Sequence, residues 1–275
     1  MIKRILVPTD FSECAENAIR YAARLAKDIN ATDLILLNAY KLPVTYGEMT
    51  ISAIAEDLIE EQEHEVELEF TNQINKLPEL KEVPHYYVHK NALIEDAVAT
   101  MADELSIDLI VMGTKGAHGI SEIVLGTNTH VITKNSKHPV LVIPQNASYR
   151  AIQDIALATD YKALNSSTVD VLKFFNRIFR SNIHLVHISD KEIITEEEIA
   201  EAKSVNQHFK NITHHFHFII NKDMEEGINS YIREKKIDML ALIPRKHGFF
   251  YSLFNKSHSK KLIYHTEIPL LAIPD

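Results

Sequence analysis

Four of the seven glycines in this 275-residue chain fall between Val111 and Ile132, in VMGTKGAHGISEIVLGTNTHVI. Glycine serves where a backbone takes positive φ or where another group must approach the main chain closely. Gly113 and Gly116 let a loop fold tightly with its N–H groups turned toward an anion. Gly126, Thr127 and Asn128 then open a helix, whose first turn has unpaired donors and the positive end of the dipole. The chemistry this spacing offers is the holding of a phosphate chain. Turnover is another matter: GxxxxGK[ST], a GxGxxG after the first strand and a GxSxG elbow are all absent. Nothing beside the proposed phosphates supplies the base or arginine finger that speeds phosphoryl transfer. Slow hydrolysis is conceivable, efficient turnover is not expected.

Such a loop needs a strand ending at Gly113 and a helix starting at Gly126. Short apolar runs do alternate with helical patterns here. IKRILVPT, DLILLNAY, HYYVHK, DLIVMG and PVLVIP are too continuous for a one-face antiparallel strand and read as strands buried on both sides. In SECAENAIRYAARLAKDI, Ala15, Ala18, Ile19, Ala22, Leu25, Ala26 and Ile29 form one helical stripe. A long acidic helix (AIAEDLIEEQEHEVELEFTNQINKL), a third (NALIEDAVATMADEL) and a fourth (TNTHVITKNS) follow. The β-α alternation predicts right-handed crossovers and a parallel sheet covered on both faces. Ligands bind beyond the carboxyl ends of such strands, where the strand order reverses. If strands one and four are neighbours there, Pro8-Thr9-Asp10 and the glycine stretch share one crevice.

The chain is also written twice. RILVPTDFS at Arg4 returns as DIALATDYK at Asp154, which places Asp160 150 residues after Asp10. KHPVLVIP at Lys137 answers EIPLLAIP at Glu267, and DLIVMG matches DMLALI at Asp238. Strands are expected near Ile152, His184, His217, Met239 and Leu271. The halves, residues 1–146 and 151–275, meet near Gln145 to Ala151.

The spacing of Gly113, Gly116, Gly126 and Thr127, within a strand-loop-helix setting, resembles the ATP-binding subset of the universal stress protein family in its tandem two-domain form. That resemblance implies two doubly wound five-stranded parallel sheets of the adenine nucleotide alpha hydrolase-like kind, strand order 3-2-1-4-5. It implies an ATP site in which Pro8, Thr9 and Asp10 line the adenine and ribose side and Ala39 lies against the base, with Met112 in the same pocket. Gly113, Thr114, Lys115 and Gly116 would contact the phosphates from the loop, and Gly126, Thr127 and Asn128 from the helix start. Mg²⁺ or Mn²⁺ would come with the triphosphate, with no metal ligand from the protein alone. Single domains of the family dimerise through the last strand, so PVLVIP and PLLAIP would pair within this chain as a pseudo-dimer, removing two open edges. Dimerisation of the whole chain, an unknown protein partner and a stress-response role regulated by nucleotide occupancy belong to the same implication.

The second half has lost the motif. PRKHGFFYSLFNKSHSKKL stands in its place, with Pro244, which donates no N–H, read in the position of the first glycine. His247 stands at about the second, and the helix is entered through Lys256 and Ser257. This half is not expected to bind ATP in the same way, and Asp160 is expected to cap a helix instead. The segment is basic and aromatic, from Arg245 and Lys246 through Phe249 to Lys261. It reads as a loop over a vacant crevice, or as a surface for another anion, a partner or a membrane. In THHFHF, His215 and His217 face one side of a strand, a two-histidine arrangement without a carboxylate at fixed spacing.

Net charge is −9, which argues against nonspecific nucleic-acid or anionic-membrane binding. The start of the chain lacks an apolar segment before a cleavage site, and no run approaches a membrane span. Cys14 is the only cysteine, which excludes an intrachain disulfide and fits a reducing, cytoplasmic setting. Near a helix start its thiol could be activated, but it reads as a small packed residue. Two rival readings stay open: a slow ATPase or phosphoryl or nucleotidyl transferase using the same crevice, and a ligand-free structural protein whose glycines are relics.

Overall fold

The computed structural model describes residues 1–41, 51–114, 126–160, 164, 166–190, 195–244 and 268–274, with the backbone alone for 51–57 and 197. The first half runs β1 (Arg4–Pro8), α1 (Glu13–Ile29), β2 (Asp33–Tyr40), α2 (Ile51–Lys76), β3 (His85–Asn91), α3 (Ile94–Glu104), β4 (Leu109–Gly113), α4 (Thr127–Asn135) and β5 (Val140–Ile143). The second runs β6 (Asp154–Ala158), α5 (Ser166–Phe179), β7 (Asn182–Ser189), α6 (Glu196–His208), β8 (His214–Ile220), α7 (Met224–Lys235), β9 (Met239–Leu242) and β10 (Leu270–Ala272). A 3-10 turn at Pro78–Glu82, which the periodicity did not announce, leads into β3.

The ten strands among the described residues form one sheet in the order β3-β2-β1-β4-β5-β10-β9-β6-β7-β8. Each half therefore has the order 3-2-1-4-5, and the fold is α/β. Pairing is parallel except at the centre, where β5 and β10 run antiparallel with Leu141 opposite Leu271. The expected joining of PVLVIP to PLLAIP is what closes the two inner edges.

α1 shows how the sequence positions a helix. Ser12 is its N-cap, the hydroxyl accepting from the Ala15 amide at 3.3 Å, and Asn30 ends it in the left-handed region at φ 52°. Its predicted stripe is wholly buried, and its many alanines let it lie close to the sheet. One face of the sheet packs against α1 and residues such as Phe70, Phe175 and Phe209; the other carries Val98, Met101, Ile132, Ile228 and Ile232. Burying a leucine or isoleucine in such a layer stabilises by about 1.5–3 kcal/mol. HYYVHK departs from expectation. As β3 it is an outer edge rather than a strand buried on both sides, and Tyr86 and Tyr87 are exposed.

The repeat extends to a shared anchor. The Asp108 carboxylate accepts from the amides of Lys3 (2.7 Å) and Arg4 (3.0 Å). Asp238 does the same for Gln153 (2.8 Å) and Asp154 (3.0 Å). Each aspartate fixes the first residue of its half's central strand. No described helix is long and apolar enough to cross a membrane.

Candidate functional site

β1 and β4 are neighbours, with Leu6 opposite Ile110, whereas β2 lies on the far side of β1. The order reverses between them, and a crevice opens beyond their carboxyl ends. It is lined by Pro8, Thr9, Asp10 and Ala15, by Ala39 and Ile94, and by Met112, Gly113, Asn128 and Thr129. Seven of the residues expected at a nucleotide site thus come together here. Thr114 is buried directly after Gly113, and Gly126 and Thr127 stand at the entry of α4. Lys115 and Gly116 lie outside the described residues, as do His247, Lys256, Ser257 and the aromatic stretch from Phe249.

The turn carrying Asp10 is held by residues that the sequence did not single out. The Thr9 amide donates to the Leu37 carbonyl at 2.8 Å, and the Thr9 carbonyl accepts from Asn38 Nδ2 at 2.9 Å. The Thr9 hydroxyl accepts from the Phe11 amide at 3.0 Å and donates to Gln73 Oε1 at 3.1 Å. Phe11 sits at φ 62°, a left-handed conformation that costs a non-glycine residue about 1–2 kcal/mol. The edge-on ring of Phe70, 5.1 Å away, packs against it. Asn38 was findable as the polar residue interrupting the apolar run of β2; Gln73, inside a long polar helix, gave no signal. Asp10 itself is exposed and accepts from the amide (3.2 Å) and hydroxyl (2.6 Å) of Ser12. It orients the N-cap residue and is not the cap.

The glycines divide into two kinds. A Cβ on Gly113 would lie 2.7 Å from Cys14 Sγ and 2.9 Å from the Cys14 carbonyl oxygen, so this glycine is required by the close passage of α1. That same packing buries Cys14, whose Sγ lies 3.8 Å from Thr114 Oγ1. Gly126 is the N-cap of α4 at φ −58° and ψ 155°, a backbone any residue adopts. Its amide donates to the Thr114 carbonyl at 2.6 Å. No cap side chain accepts from the first turn of α4, and that turn holds no acidic residue. Thr129 turns its hydroxyl to the Gly113 carbonyl (2.9 Å), tying the helix start to the end of β4. The result is a helix N-terminus presented to a crevice, suited to an anion. A larger hollow of about 260 Å³ between α3 and α4 carries Glu95, Asp96 and Asp103 against Lys137 and His138, an acidic balance that disfavours phosphate.

In the second half a larger side chain stands at the position equivalent to Ala39. Strand register matches Ala39 with Ile188, Asn38 with His187 and Gly113 with Ile243. Pro244 therefore takes the place of Thr114 and not, as the motif comparison suggested, that of the first glycine; the apolar run continues past β9 into Ile243, where β4 ends in glycine. The Ile188 side chain lies so close to Gly227 that a Cβ there would meet it at 3.3 Å. Gly227 corresponds to Ala97, each amide donating to the N-cap carbonyl of its helix, Asp223 and Leu93. α5 begins at Ser166, so Asp160 does not occupy its N-cap position. Among the described residues no group of three or more histidine, cysteine, aspartate or glutamate side chains is placed to hold a metal ion.

Comparison with known proteins accords with this geometry. A universal stress protein of Methanocaldococcus jannaschii is 30% identical over 160 residues, 54% of this chain and 98% of its own length. Universal stress protein YxiE of Bacillus subtilis is 30% identical over 148 residues, 52% of this chain and 99% of its own. The crystal structure of a universal stress protein from Archaeoglobus fulgidus superposes with a TM-score of 0.66 at 16% identity, over 98% of this chain and 96% of that one, so both halves share its fold. The model of the universal stress protein family matches residues 1–144, just over half of the sequence, and the chain belongs to that family.

Proposed function

We propose that the first half, residues 1–146, binds an adenine nucleotide, ATP, in the crevice between β1 and β4, and that the second half, residues 151–275, is a degenerate partner without such a site. The observation that carries this reading is the convergence of Pro8, Thr9, Asp10, Ala39, Met112 and Asn128 on the start of α4, a first turn with neither a side-chain cap nor an acidic residue. Ala39 leaves room for a planar base between Met112 and Ile94, Asp10 stands where a ribose would lie, and the amides of Thr127 and Asn128 face the phosphates. Lys115 and Gly116 would complete the phosphate loop. In the second half Ile188 takes the place of Ala39, which supports the asymmetry.

A divalent cation, Mg²⁺ or Mn²⁺, would be held through the phosphates and would neutralise part of their charge. Among the described residues Asp10 is the one carboxylate lining the crevice, so the donor set fits a cation carried by the nucleotide rather than a resident one. Nucleotide occupancy would then govern binding of a protein partner during stress in the cytoplasm, with the chain acting as an internal pseudo-dimer. The test is calorimetric titration of stripped protein with ATP and Mg²⁺. One site per chain is expected, and at a hundred times Kd linkage adds about 2.7 kcal/mol of stability to a parallel thermal melt. Two sites would overturn the asymmetry; none would overturn the nucleotide reading.

A further inference from the structure

The second half carries a cluster of titratable side chains where the first half is apolar. On the sheet face beneath α7, His184 of β7 stands in register with His215 of β8, with His217 two residues further on. The rings of His184 and His217 are stacked, 5.3 Å apart and 17° from parallel. His184 is only 9% exposed. Its Nε2 lies 3.0 Å from Asp154 Oδ1, and its Nδ1 lies 2.8 Å from the Tyr231 hydroxyl. A carboxylate only accepts, so Nε2 carries the proton, and neutral Nδ1 accepts from the phenol. His184 is therefore fully satisfied as a neutral ring. The Asp154 oxygen also accepts from Asn182 Nδ2 at 3.0 Å. His217 Nε2, by contrast, is buried and has no hydrogen-bond partner among the described residues, and the ring of His217 rests 5.0 Å from that of Tyr231 on α7. In the first half the matching residues are Ile35, Val88 and Met101.

We propose that the stacked His184–His217 pair is an acid-sensitive latch that holds α7 and β8 on the sheet while the His217 ring is neutral and releases them when that ring takes a proton. A proton on His217 would sit against a buried ring face with nothing to accept from its Nε2. The groups facing it are Asp154 on β6, His184 on β7, His215 on β8, and Tyr231, Glu234 and Lys235 on α7. Asp154 is already engaged with His184, Glu234 pulls toward protonation, and the Lys235 ammonium opposes it. Burial first, then His184, Lys235 and His215, hold His217 below the ordinary histidine value of 6.5. With the folded value lowered, the unfolded chain takes the proton first. Stability is thus complete above about pH 6.5 and is lost as pH falls through the folded value.

The test combines ring-nitrogen NMR titration with amide hydrogen exchange at about pH 7.5 and 5.5, corrected for intrinsic rates. His217 should titrate below 6.5, and protection of α7 should drop on acidification, by up to about tenfold, while that of α3 holds. The variant H184I/H217V, which installs the first half's own residues, should lose this local pH dependence. Titration of His217 at or above 6.5, or equal pH dependence in α7 and α3, would overturn the latch. Should the double variant fold poorly, His217→Phe keeps the stack without the proton, and acid-sensitive protection persisting in it would overturn the latch equally. None of these outcomes depends on nucleotide binding.

Discussion

Replacing Gly113 with alanine separates two reasons for a glycine at the end of β4. One is the approach of a phosphate; the other, favoured by the geometry, is the passage of α1. The added Cβ would meet Cys14 Sγ at 2.7 Å and the Cys14 carbonyl at 2.9 Å, against an ordinary contact of 3.4 Å or more. The start of α1 must then move by roughly 0.7 Å, and overpacking of this kind costs about 1–3 kcal/mol. Each kcal/mol lowers Tm by about 2–4 °C in a domain of this size. Urea unfolding of the parent, Gly113→Ala, Cys14→Ala and the double variant completes a cycle. Because Cys14→Ala removes the sulfur but leaves the carbonyl, rescue should be partial, with a coupling of about 0.5–1.5 kcal/mol. A Gly113→Ala protein as stable as its parent, or a coupling near zero, would refute the packing argument and return the glycine to the ligand.

Gly126→Val should behave oppositely: its backbone angles suit valine, so stability should change by no more than about 1 kcal/mol, while ATP binding by calorimetry should be lost. Retained affinity would remove Gly126 from the site. Copying the second half's plug into the first, Ala39→Ile with Ala97→Gly, should lower ATP affinity at least about tenfold, since the branched side chain fills the base position. The far-ultraviolet circular dichroism should stay that of the parent, and unchanged affinity would mean the base does not lie at Ala39.

Much of this fold could be read from the residues because parallel strands buried on both faces advertise themselves as unbroken apolar runs, as in LIVMG and VLVI. The alanine stripe of α1 and the paired prolines around β5 and β10 were equally plain. β3 misled because its tyrosines and valine have strand character whichever way they face, and only the sheet order reveals an edge. Spacing brought Asp10, Gly113 and Gly126 together, yet it gave no sign that Cys14 packs against Gly113. Close approach between distant segments leaves the same mark in a sequence as close approach to a guest. The Ile188–Gly227 plug was hidden for the related reason that it joins a strand to a helix nearly forty positions away.

The antiparallel seam of β5 with β10 lies within a single polypeptide. Two separate halves joined by this seam would come apart on dilution, and any substitution would appear twice about their axis. Tethering by the short connection from β5 to β6 sets an effective concentration near the millimolar range, so the seam persists however scarce the protein becomes. It also lets each half change by itself. Ile188 could close one crevice while Ala39 kept the other open, and histidines could enter one apolar layer without entering its twin. The seam is therefore what permits one molecule to hold two unlike surfaces in fixed register.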